Sequence, residues 1–303
     1  MKKAIITISI LSLFLNCALF EKLAFKSIIT MYPSKRHSIR YADGFKGDYY
    51  TFTLGDKNKI DTYIFVAQGS GYGSAQWFRY YFNDLPGNVK VYSLQKRYVK
   101  HNDSHVDKPS NKYQEYNCLS HTIADQTEFI NSILSDITLI NNKIVMFGVS
   151  EGAMVASAVA SNIPEITHLV VLGDGGMKGI DAFRIWGQRN DNDFDQIYKI
   201  VIDDPASDKF IGPYSHKYWK DILDEDPMEH ISKLNIPMFY CMGDKDESVP
   251  IESLYYLLEE FSKLKKDNLT TKIYPGCNHS LEDSTGKSYK KEFMQEIYNW
   301  LHT

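Results

Sequence analysis

The sequence predicts an α/β fold: a mostly parallel sheet flanked by helices, with an inserted helical cap. Three observations lead there. Short apolar runs alternate with stretches of helical spacing along most of the chain. Most of these runs are continuously apolar and bounded by Gly or Pro, as strands buried on both faces are. The alternation breaks over about 176–230, an interval too long for a simple crossover between two strands.

The first twenty residues stand apart. Met1-Lys2-Lys3 precedes AIITISILSLFLNCALF, a basic start and an apolar core that match a secretory signal peptide. The run carries Thr, Ser and Asn and is marginal in length for a membrane-spanning helix. Cys17 closes its most apolar part and resembles the cysteine of a bacterial lipobox, which is lipidated and becomes the mature N-terminus. A lipidated Cys17, a plain signal peptide and an uncleaved anchor are the readings of residues 1–20. The expectation is export to the cell envelope, with the domain lipid-anchored on the periplasmic or extracellular face. A lead or tether over 21–46 then precedes the domain at 47–303.

Within that domain GDYYTFTLG is expected as a first edge strand, followed by the apolar run Tyr63–Ala67 ending in QGSG. A helical stretch covers Trp77 to Phe82, VKVYSL forms a strand at 89–94, and 95–117 is polar and loop-like. Ile123, Phe129, Ile130, Ile133 and Leu134 recur at helical spacing between Ser120 and Ser135. KIVMF is a short buried strand, with a helix from Glu151 to about Ser161 after it. HLVVLG (168–173) and IPMFYCMG (236–243) are further strands. Between them the cap, rich in Asp and aromatics, has helix-like pieces at 181–201 and 215–223. IESLYYLLEEFSKLKK is an amphipathic helix, TKIYPG a strand, and KEFMQEIYNWL the closing helix.

The bulk numbers agree with one large domain: 303 residues, 43% of them apolar and 24% charged. A net charge of −4 gives no basic field for nucleic acid. With Cys17 set aside, Cys118, Cys241 and Cys277 remain, an odd number that is no disulfide scaffold. Cys241 and Cys277 are read as small buried hydrophobes, or as a pair if their strands are neighbours. His101, His105 and His121 have no metal-ligand spacing, and Asp191, Asp193 and Asp195 lack the glycine and closing glutamate of a calcium loop. Both groups read as solvated surface.

The chemistry centres on FGVSEGAM. Gly148-Val149-Ser150-Glu151-Gly152 lies between an apolar strand and a small-residue helix. Such a turn lifts the serine above the sheet, and its glycines relieve crowding where backbones approach. A serine hydroxyl is a weak nucleophile and needs a base. His279, in YPGCNHSL after the last expected strand, would share the carboxyl edge of the sheet with Ser150. Asp246, in MGDKDESVP after the preceding strand, would orient that imidazole, with Asp244 and Glu247 as close substitutes.

These residues carry a resemblance. From about residue 47 onward the chain is similar to the α/β-hydrolases, and its elbow to the G-x-S-E-G variant of bacterial esterase-like and peptidase-like members. GDKDESVP resembles the family's acid loop, which favours Asp246 over Asp244, and PGCNHSL its histidine loop. The resemblance implies an oxyanion hole made by the backbone N–H groups of Ser70, in QGSG, and of Glu151.

The function expected is a serine hydrolase of carboxylic esters acting on a small-molecule substrate, without cofactor or metal. Ser150 attacks, His279 moves the proton and Asp246 orients it, with activity falling as pH drops through about 6.5. Alternatives are an amidase, aminopeptidase or acyltransferase of the same fold, or a lipid-anchored binding protein without activity. Phe183, Trp186, Phe194 and Tyr198 either line an acyl pocket or form the core of the cap.

Overall fold

The computed structural model of the chain describes residues 19–303; Cys17 and all but the last two residues of the stretch 1–20 expected as a signal peptide or anchor lie outside the described residues. A helix over 19–31 (α1) leads into the strands β1 (Lys35–Arg40), β2 (Lys46–Leu54) and β3 (Thr62–Ala67). Then follow α2 (Trp77–Tyr81), β4 (Val89–Leu94), α3 (Asn111–Tyr116), α4 (Leu119–Asp136), β5 (Lys143–Val149), α5 (Glu151–Asn162) and β6 (His168–Leu172). The stretch after β6 holds α6 (Gly179–Arg189), α7 (Phe194–Asp203) and a small hairpin of β7 (Phe210–Ile211) and β8 (Tyr214–Ser215). It continues with α8 (His216–Asp224) and α9 (Met228–Ile231). The remaining elements are β9 (Met238–Gly243), α10 (Glu252–Leu264), β10 (Leu269–Tyr274) and α11 (Lys290–Leu301).

Eight strands form one sheet in the order β1-β2-β4-β3-β5-β6-β9-β10. The pairs β1·β2 and β2·β4 are antiparallel, and every pair from β4 to β10 is parallel. Successive residues of the central strands face opposite ways, and both faces are buried. Phe65, Met146, Val171 and Tyr240 pack on one side with Phe129 and Ile130 of α4 and Val155 of α5. Their neighbours Val66, Phe147, Val170 and Cys241 pack on the other with Phe82, Phe293 and Ile297. Burial on both faces leaves no room for alternation with polar residues, hence the continuous apolar runs. Each such side chain contributes about 1.5–3 kcal/mol relative to exposure. Cys241 and Cys277 share the second cluster as free, fully buried thiols, so they act as small hydrophobes and are not bonded.

The structure departs from the sequence reading in three places. The segment 21–46 is not a loose lead: it supplies β1 at the sheet edge, and GDYYTFTLG is the second strand. An outer strand needs little burial, and in KRHSIR only Ile39 is buried, so no apolar run marks it. The helical stretch at 181–201 is two helices. Asp191 turns the chain through a left-handed conformation (φ 54°), and Asp193 caps α7 by accepting from the Gln196 amide at 3.0 Å. Third, the polar stretch 95–117 ends in α3, capped by Ser110. Asp195 pairs with Arg184 at 2.6 Å, which completes the surface role of that acidic run.

Candidate active site

Ser150 stands at the junction of β5 and α5 with φ 54° and ψ −131°. A non-glycine residue held there costs on the order of 1–3 kcal/mol, and the surroundings must impose it. They do so from both sides. The Ser150 amide donates to the Leu172 carbonyl of β6 at 2.8 Å, tying the turn to the sheet. A Cβ at Gly148 would come within 2.7 Å of Ala153 Cα and Ala156 Cβ, and one at Gly152 would run into the Ala67 and Gln68 carbonyls. The two glycines let α5 and the end of β3 close around the serine.

The loop after β3 faces this turn. Gly69 fits against it so closely that a Cβ there would lie 3.3 Å from Ser150 Cβ. Gln68 holds the loop by donating its side-chain amide to the Leu94 carbonyl. Ser70 and Glu151 both line the cavity that contains Ser150. Among the described residues neither backbone amide donates to a protein acceptor.

Asp246 and His279 come together from the ends of β9 and β10. His279 Nδ1 lies 2.7 Å from Asp246 Oδ2, while Asp246 Oδ1 accepts from the Ser248 and Val249 amides at 2.8 and 2.9 Å. Asp244 instead accepts from the Gly276 amide at 2.6 Å and takes no part in this pairing. Glu247 accepts from the His279 backbone amide at 3.3 Å, so it braces the loop rather than the ring. Burial opposes the charged imidazole, but the bond to Asp246 and its charge outweigh this and raise the His279 pKa above 6.5.

The imidazole sits over Gly173, the residue after Leu172, whose carbonyl receives the Ser150 amide. That shared strand end brings His279 to the serine's side of the sheet. Ser150 Oγ and His279 are not joined by a hydrogen bond in this structure; such bonds commonly tighten only in the substrate complex. Gly173 itself has φ +74°, and a Cβ on it would lie 2.7 Å from His279 Cε1.

Residue 173 begins a short run, GDGG, that sequence reasoning passed over. Asp174 is 4% exposed and lines the same cavity as Ser150. Its burial pushes the carboxyl up to about 6, against the pull of the Gly175 and Gly176 amides and the Ser253 hydroxyl. The available signal was a glycine-rich turn on the carboxyl edge of a parallel sheet, where α/β proteins place ligands. Lys96, the second residue beyond β4, was likewise missed.

The cavity holds about 480 Å³ and runs from Ser150 under the cap. Phe183, Trp186, Phe194, Tyr218, Trp219 and Ile222 give it an apolar wall. These rings also pack on one another, Phe183 on Phe194 with centroids 4.9 Å apart, so pocket wall and cap core are the same residues. Tyr198 is the exception: it donates to Asp224 at 2.7 Å and does not line the cavity.

Residues 115–303 match the prolyl oligopeptidase family. The chain belongs to that family. The match favours a hydrolase over the reading of a binding protein without activity. No curated protein matches the chain. Solved structures resemble it in fold. The acylaminoacyl peptidase of Pyrococcus horikoshii aligns with TM-score 0.58 and 9% identity over 89% of this chain. The chain spans 41% of the length of that peptidase. An esterase of Pyrococcus furiosus gives TM-score 0.59 and 16% identity over 90% of this chain and 91% of its own. A highly thermostable carboxyl esterase of Bacillus coagulans gives TM-score 0.59 and 15% identity over 89% and 98%. At such identities the likeness is one of fold: the α/β-hydrolase sheet.

Proposed function

We propose that this member of the prolyl oligopeptidase family cleaves carboxylic esters with an apolar acyl group. Ser150 Oγ attacks the acyl carbon while His279 takes the hydroxyl proton, and Asp246 holds the imidazole in the required tautomer and supports its charge. The amides of Ser70 and Glu151 receive the oxyanion. Collapse expels the alcohol, protonated by His279, and leaves an acyl-enzyme that water hydrolyses by the same steps in turn. The observation that carries this reading is the 2.7 Å pairing of His279 with Asp246 on the sheet edge that bears the strained Ser150. The aromatic wall of the cavity favours an acyl chain over a polar group.

Amide cleavage is the second reading, and the family match itself favours it. A series of p-nitrophenyl esters of increasing acyl length, run beside acylaminoacyl p-nitroanilides, separates the two. Faster turnover of the esters, abolished in Ser150→Ala, supports esterase action. If the anilides are the better substrates, the chain is a peptidase. The cellular setting proposed is the envelope, with Cys17 lipidated. Labelled fatty acid should enter the wild type and not Cys17→Ala, and equal incorporation would end that idea.

A further inference from the structure

Behind the oxyanion loop lies a lysine that the chemistry above does not use. Lys96 follows β4, and its side chain is 8% exposed; the nearby Glu151 side chain is 6% exposed. Burial lowers the Lys96 pKa, against the charge of Glu151, so its ammonium form depends on partners that replace water well. The shortest partner here is a peptide rather than a carboxylate. Lys96 Nζ donates to the Gly69 carbonyl at 2.6 Å, while Glu151 Oε1 lies 3.8 Å away. The other oxygen of Glu151 accepts from the Tyr218 hydroxyl at 2.6 Å, and the Tyr218 ring is stacked on Tyr214 with centroids 4.1 Å apart. Both tyrosines come from the cap.

The Gly69 carbonyl and the Ser70 amide are the two ends of one planar peptide. A cation on the oxygen fixes the plane of that peptide and draws electron density from the nitrogen, which makes its N–H a stronger donor. Glu151 closes the arrangement, since its backbone supplies the second donor of the same site while its side chain faces the ammonium.

We propose that Lys96 is a positioning residue for the oxyanion site. Seated on the Gly69 carbonyl, it orients and polarises the Gly69–Ser70 peptide, and Glu151 with Tyr218 keeps the ammonium in place. This rests on the reading of Ser70 as an oxyanion donor and adds to it a cause for that donor's strength. It also makes the cap part of the catalytic apparatus: Tyr218, besides lining the cavity, reaches the oxyanion site through Glu151 and Lys96.

The test compares the wild type with Lys96→Met, Lys96→Met/Glu151→Gln and Ser150→Ala. Thermal melting, ester kinetics and affinity for a trifluoromethyl ketone, which forms an oxyanion on the serine, are measured for each. Lys96→Met leaves Glu151 buried and without a cation, so it loses stability; the double variant removes both charges and recovers it. The expected result is a kcat lower by about 100-fold in both variants, near the effect of losing one oxyanion donor, with KM little changed. Ketone affinity should fall in parallel with kcat. If the double variant regains both stability and wild-type kcat, Lys96 is only structural glue and the proposal fails. If wild type and Ser150→Ala turn over ester equally, the underlying site is wrong, and the proposal falls with it for that separate reason.

Discussion

His279 and Asp246, thirty-three positions apart, meet at 2.7 Å through Nδ1 and Oδ2. The second carboxylate oxygen is held by two backbone amides, so the acid cannot turn away from the ring. Asp246→Asn keeps the shape but presents the wrong partner to Nδ1. The expected loss in kcat is about 10⁴-fold, by analogy with the same change in other serine hydrolases, with melting little affected. A loss below tenfold would take Asp246 out of the orienting role.

The pH profile follows from the direction of the His279 shift. In the proposed mechanism the base is the neutral imidazole, and Asp246 favours the charged form, so the neutral form is lost earlier on acidification. Log kcat/KM should therefore fall with unit slope as pH drops, with its bend above the ordinary histidine value of 6.5. In Asp246→Asn the bend should move lower, since burial remains and the counter-charge is gone. A bend that stays where it was would show that another group titrates.

Gly173 should tolerate no side chain. Alanine there adds a Cβ 2.7 Å from His279 Cε1 and forces a left-handed φ of +74° on a residue that resists it. The ring must move, and a displacement of about 1 Å costs roughly 100-fold in rate. Fluorophosphonate labelling of Ser150 in Gly173→Ala reads this directly. Wild-type labelling would mean that the imidazole has room to spare.

Asp174 makes a prediction about stability rather than rate. Its carboxyl is raised from 3.8 to about 6, so the folded state holds a proton that the unfolded chain releases. That contribution is fully present below pH 3.8 and is lost as pH rises through about 6. Asp174→Asn removes the dependence. It should be more stable than wild type at alkaline pH by up to about 3 kcal/mol, with the difference shrinking towards acid. Denaturant midpoints at the two extremes check it; a gap that does not change with pH would count against the assignment.

The central strands were legible because burial on both faces writes continuous apolar runs, as in KIVMF and HLVVL. The meeting of Asp246 and His279 on the edge that bears Ser150 was legible because a parallel sheet must share that edge: Ser150 and Asp246 follow such runs, and His279 follows the outer strand LTTKIY. What escaped has a common cause. Lys96, Gly173 and Asp174 are defined by what approaches them from far along the chain: a carbonyl at 69, an imidazole at 279, a hydroxyl at 253. Local pattern carries no record of such partners. β1 escaped for the opposite reason, having almost nothing to bury.

That strand has a practical consequence. It pairs with β2 over six positions, from Lys35 opposite Thr51 to Arg40 opposite Lys46. Ahead of it, Phe25 of α1 is buried with its ring 6.3 Å from that of Trp77. A recombinant fragment begun at Gly47, where the sequence alone draws the boundary, would strip the edge of β2 bare and offer its unpaired amides and carbonyls to other chains. One begun near residue 19 would keep that edge covered. Light scattering on the two fragments should find the shorter one aggregated and the longer one monodisperse.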